Sequence, residues 1–79
     1  MSSRSHHIGW SWKNPKGTAS HAFSTADEAR DNAVYNAIVS QKKTGASAVY
    51  HRMSDTERFL CWQSLQRAGW QLLEVKAEF

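Results

Sequence analysis

The stretch IGWSWKNPKGTASHAFSTADE, Ile8 to Glu28, decides the fold. Ile8, Trp10 and Trp12 alternate with Gly9, Ser11 and Lys13. A side-chain period of two predicts a strand with one apolar face. Asn14-Pro15-Lys16-Gly17 then reads as a turn. Proline presets φ at the second turn position, and glycine accepts the positive φ that closing a turn often needs. Thr18 to Phe23 reads as the returning strand. Neither of its faces is strongly apolar, which suits a sheet edge. Thr25-Ala26-Asp27-Glu28 has the form of a capping box and opens a helix.

Working outward, Ala26, Ala29, Ala33, Val34, Ala37 and Ile38 recur at helical spacing. They predict a helix over 26–43 with an alanine-lined packing face and Gly45 as its stop. Residues 46–53, with Val49, Tyr50 and His51, read as a third strand. Ser54-Asp55-Thr56-Glu57 is a second capping box, and Gly69 ends the helix it starts, over 55–68. In Trp70 to Phe79, Leu73, Val75, Ala77 and Phe79 alternate with Glu74, Lys76 and Glu78, predicting a strand buried on one side. The expected fold is α+β, a β-β-α-β-α-β sandwich with a mainly antiparallel sheet and two helices on one face. The expected core is Val34, Ile38, Phe59, Trp62, Leu65, Leu73 and Val75. Trp10 and Trp12 are expected to be buried against the alanine-lined helix, and the competing reading leaves at least one of them on an outer face, stacking on a base or filling a partner's pocket.

Charge is distributed unevenly. Arg4, Lys13 and Lys16 are the only charged residues in the first 24. From Thr25 onward seven basic residues meet seven acidic ones, so the whole net charge of +3 lies in the hairpin segment. Arg4, Trp10, Trp12, Lys13 and Lys16 therefore form the candidate partner-binding set, a basic surface with an aromatic anchor. The pI near 9.4 points to an acidic partner, a protein groove or a phosphate backbone.

A chain of 79 residues is expected to form one domain, 1–79, with residues 1–6 loose. Such a domain buries only about 60–65% of its unfolded surface, so its stability is modest. The hydrophobic fraction of 41% is that of a folded domain, and no apolar run is long enough to span a membrane. No secretory signal is recognisable at the N-terminus, so a cytoplasmic location in the host cell is expected.

Catalytic chemistry finds little support. One cysteine, Cys61, allows neither an internal disulfide nor a paired-cysteine zinc site. His6, His7, His21 and His51 lack the spacing of a ligand set, so no metal is expected. Cys61 with His51 is the one nucleophile–base pair to consider, and Cys61 lies in an apolar helical stretch where its pKa would not fall. Asp27, Glu28, Asp31, Asp55 and Glu57 are accounted for by helix capping. The four glycines make no phosphate loop. A non-enzymatic protein without a cofactor is expected.

Residues 9–38, with Phe23, Thr25, Glu28 and Ala29 leading into the helix, resemble the arm-type DNA-binding domain of phage integrases. That resemblance implies DNA reading by the sheet face. The integrase pattern carries Arg and Lys along its strands, whereas Thr18, Ser20 and His21 stand here. In type rather than motif, the chain also resembles the accessory proteins of phages and mobile elements, including the anti-CRISPR inhibitors. This second resemblance implies steric blocking of a host defence complex, a protein or nucleoprotein with an acidic surface. It ranks first. A small nucleic-acid-binding regulator using the hairpin is the alternative, and a structural or assembly subunit comes third.

Overall fold

The computed structural model describes residues 5–42 and 44–78. They form a small α+β domain with a two-stranded antiparallel sheet and three helices. The order is β1 (Ser5–Lys13), α1 (Ala26–Gln41), α2 (Ala46–Arg52), α3 (Asp55–Arg67) and β2 (Gln71–Glu78). This replaces the expected β-β-α-β-α-β order and its two helices.

α1 is the centre of the packing. The sheet lies against it on one side, and α2 and α3 pack against it from elsewhere on its circumference. Ala29, Ala33, Val34 and Ala37 are its buried residues, and their small side chains permit that crowding. At its start the Thr25 hydroxyl accepts a bond from the Glu28 N–H at 3.1 Å. Only this half of the expected capping box forms. α3 has both halves. Ser54 Oγ accepts from the Glu57 N–H, and Glu57 Oε1 accepts from the Ser54 N–H. α3 ends in a Schellman motif: the Trp70 N–H donates to the Leu65 carbonyl and the Gly69 N–H to the Gln66 carbonyl, with Gly69 at φ +108°.

Residues 46–52 are helical, not the expected third strand. Their apolar residues fit either period over so short a run, and β-branched and aromatic residues favoured a strand. Tertiary contacts decide for the helix. Ala46 is buried, and the Tyr50 ring meets Tyr35 of α1 edge-on at 5.4 Å. The Arg58 guanidinium lies 4.2 Å from the centre of the Tyr50 ring and donates to the Tyr50 carbonyl. Gly45 accordingly caps the start of α2, and α1 ends at Gln41 with Lys42 as its C-cap.

β1 pairs with β2 from Ser5↔Glu78 to Lys13↔Gln71, with Ile8 as an extra, bulged residue. The other edge of β1 is met by the returning segment at two bridges, Trp10↔Phe23 and Lys13↔Ala19. The segment is not a continuous strand. Between those contacts three residue steps on the segment, Ser20 to Phe23, answer two on β1, Trp10 to Trp12. Ser20 repairs the gap by accepting the Trp12 N–H with its hydroxyl.

The core cluster is Trp12, Ala33, Val34 and Trp62, with Phe23, Ile38, Tyr50, Met53, Cys61, Leu65, Trp70 and Leu72 packed around it. Three expected core residues, Phe59, Leu73 and Val75, lie outside it. Phe59 is 46% exposed because it sits at the margin of the core-facing side of α3, with the Arg30 guanidinium of α1 5.9 Å from its ring centre, while Leu60 points away from the core. Leu73 is 40% exposed. Trp70 and Leu72 take the helix-facing positions beside Trp12, so strand alternation turns Leu73 and Val75 to the opposite face. Among the described residues no helix is long and apolar enough to cross a membrane.

Candidate functional site

The turn after β1 is built by local hydrogen bonds. The Gly17 N–H donates to the Asn14 carbonyl at 3.0 Å, and the Asn14 N–H donates to the Thr18 carbonyl at 2.9 Å. The Asn14 side-chain oxygen accepts from the N–H groups of both Lys16 and Thr18. Gly17 has φ +92°, the conformation that closes a three-residue hairpin loop. The tip rests on the α3–β2 connection: a Cβ built at Gly69 would stand 3.2 Å from Pro15 Cγ. The turn is thereby held at the α3–β2 connection, facing α1 across a gap.

This docking creates a cleft of about 490 Å³ lined by Trp12, Asn14, Pro15, Lys16, Thr18, Asn36, Val39, Ser40 and Trp70. Trp12 and Trp70 form its aromatic side, with ring centroids 5.1 Å apart. Beneath it Trp12 Nε1 donates to Asn32 Oδ1 at 2.9 Å, and Asn36 Nδ2 donates to the same oxygen at 3.0 Å. This network locks the Trp12 ring and the Asn36 amide to α1. Lys16 is the one charged residue in the lining, which contains no acid. A second concavity of about 330 Å³ lies over the N-terminal half of α1 and is lined by Phe23, Glu28, Asp31, Asn32, Tyr35 and Tyr50. The two halves of α1 thus carry clefts of opposite electrostatic character.

The structure divides the predicted site residues. Lys16 and Trp12 come together at the cleft. Trp12 is 5% exposed, so it shapes the wall and is not a projecting anchor. Lys13 is exposed at the end of β1 but does not line the cleft. Trp10 is half-buried beside His7, with ring centroids 5.8 Å apart. Among the described residues neither Lys13 nor Lys16 has an ion-pair partner. Arg4 lies outside the described residues. The sequence reading missed Trp70, Asn36, Val39 and Ser40. Val39 carried a signal, being an apolar residue off the alanine face of α1 and 41% exposed.

The other titratable groups have local explanations. His7 Nδ1 lies 2.9 Å from Glu74 Oε2, and Lys76 Nζ lies 3.0 Å from Glu74 Oε1. Hydrogen bonding from Lys76, then from His7, holds the Glu74 carboxyl below its ordinary range. Burial pushes the Cys61 thiol up, opposite to the shift that activates a nucleophile. Among the described residues no three His, Cys, Asp or Glu side chains gather where a metal ion could sit. Compared with known proteins, the chain matches no family model, no curated protein and no solved structure.

Proposed function

We propose that this chain is a non-enzymatic binding protein that blocks a host defence complex sterically, as the anti-CRISPR inhibitors do, in the cytoplasm of the host cell. The observation that carries the binding reading is the acid-free cleft at the turn end. Lys16 stands on it, and Trp12 and Trp70 wall it. An apolar side chain of a partner would enter the cleft while a neighbouring carboxylate met Lys16. The choice of a defence complex as target rests on likeness of type to the small phage inhibitors.

The test is phage plating on hosts that carry defined, active CRISPR systems with a matching spacer. Expression of the chain restores plaques on at least one host. Lys13→Glu with Lys16→Glu abolishes the restoration and leaves the melting temperature nearly unchanged, because exposed turn charges contribute little to folding. Failure on every host, or full activity of the double variant, refutes the proposal. A shift of free duplex DNA whose affinity falls steeply with salt supports the alternative, a nucleic-acid-binding regulator using Lys13 and Lys16 on phosphate.

A further inference from the structure

The sheet has one guarded edge and one open edge. β1 is covered by β2 on one side and by the returning segment on the other. β2 bonds only to β1 among the described residues. The direction of its free backbone groups follows from β1. Trp10 exchanges both backbone bonds with Phe23, and the Trp12 carbonyl accepts from the Ser20 N–H. Those even-numbered residues point away from β2, so Gly9, Ser11 and Lys13 point toward it. Their partners Val75, Leu73 and Gln71 are therefore bonded inward. Leu72, Glu74 and Lys76 turn their N–H and C=O groups to the open edge.

Protein edges are normally protected by proline, a bulge, short length or an unbalanced lysine. β2 has eight residues and no proline, and the bulge of this sheet lies on β1. Its Lys76 is balanced by Glu74 two positions away. Two-fold pairing of this edge with itself must place outward residues opposite outward residues. Centring on Glu74 sets two carboxylates face to face, and centring on Lys76 sets two ammonium groups face to face. Centring on Val75 sets Glu74 opposite Lys76 of the second copy, and Lys76 opposite its Glu74. That register spans residues 72–78, seven of the eight in the strand.

We infer that the open β2 edge binds a second copy of this chain, antiparallel and centred on Val75, joining the two sheets into one. Oppositely charged cross-strand pairs favour that register over its neighbours. Val75 meets Val75 of the second copy on the face where Leu73 is already exposed, so apolar surface is covered as the backbone bonds form. This inference is independent of the proposed inhibitor role.

Light scattering after size-exclusion chromatography, over a concentration series of the full chain, reads the mass directly. Wild type rises to twice the chain mass. Glu74→Lys and Lys76→Glu, checked for fold by circular dichroism, each stay at one chain mass because like charges now face each other. An equimolar mixture of the two variants returns to twice the mass, since one strand is then doubly positive and the other doubly negative. Val75→Cys in a Cys61→Ser background forms an intermolecular disulfide on mild oxidation, because directly opposed side chains on adjacent antiparallel strands are close enough to join. A wild type that stays at one chain mass at every concentration overturns the inference. So does a wild-type dimer whose Val75→Cys form does not cross-link, or single variants that dimerise as wild type does. The cross-link needs no charge change, so it decides the matter even where a charge variant fails to fold.

Discussion

Gly9 is where one added methyl group should do the most damage. A Cβ at Gly9 would overlap the carbonyl oxygen of Phe23, a backbone atom that no side-chain rotation can move. Gly9→Ala must therefore push the returning segment off β1. Two bonds hold that contact, Trp10 N–H to Phe23 at 2.8 Å and Phe23 N–H to Trp10 at 2.6 Å. At about 0.5–1.5 kcal/mol net for each, their loss costs about 1–3 kcal/mol. Phe23 also withdraws from the core, and losing part of one aromatic burial adds about 1 kcal/mol. The expected total, about 2–4 kcal/mol, is a large share of the ~5–15 kcal/mol that holds a domain together. Urea denaturation followed by circular dichroism measures it. Gly17→Ala is the control. No atom lies within 4 Å of its Cβ, but its φ of +92° costs about 1–2 kcal/mol for a residue with a side chain. Hydrogen exchange separates the two mechanisms, because only Gly9→Ala should expose the amides of Trp10 and Phe23. A Gly9→Ala protein within about 0.5 kcal/mol of wild type, with those amides still protected, would refute the close-approach argument.

Trp62→Ala should cost about 3–5 kcal/mol, whereas Phe59→Ala, at a site 46% exposed, should cost under about 1 kcal/mol; denaturant midpoints compare them. Ser54→Ala removes one arm of the α3 capping box and should cost about 1 kcal/mol in the same assay. The Glu74 carboxyl should titrate below an ordinary glutamate by NMR, and Lys76→Ala should move it upward. Because the folded pKa is depressed, Glu74 favours the fold above the ordinary glutamate range and loses that contribution as pH falls through its folded pKa.

Much of the local structure was legible in the chain. The start of α1 at Thr25 and both ends of α3 rest on bonds between residues three to five apart, so their signals sit together in the sequence. The Asn14–Gly17 turn is equally local, and its conformation follows from Pro15, Gly17 and the Asn14 side chain. The clustering of Lys13 and Lys16 at that turn was plain from the order of residues alone.

The remainder needed partners distant in the chain. Whether 46–52 is helix or strand depended on Tyr35 and Arg58 meeting Tyr50. The face on which Leu73 lies depended on Trp12 selecting Trp70 and Leu72 as neighbours, close to sixty positions away, and a shift by one residue exchanges the two faces of a strand. The candidate cleft followed the same rule. Lys16 could be read as a surface cation, but its setting on a cleft with Trp70, Asn36 and Val39 depends on Pro15 resting on Gly69, which holds the turn facing α1. Caps, turns and charge clusters are set by neighbours in sequence, which a single chain displays. Burial, strand face and the walls of a cleft are set by neighbours in space, which only the packed tertiary structure selects.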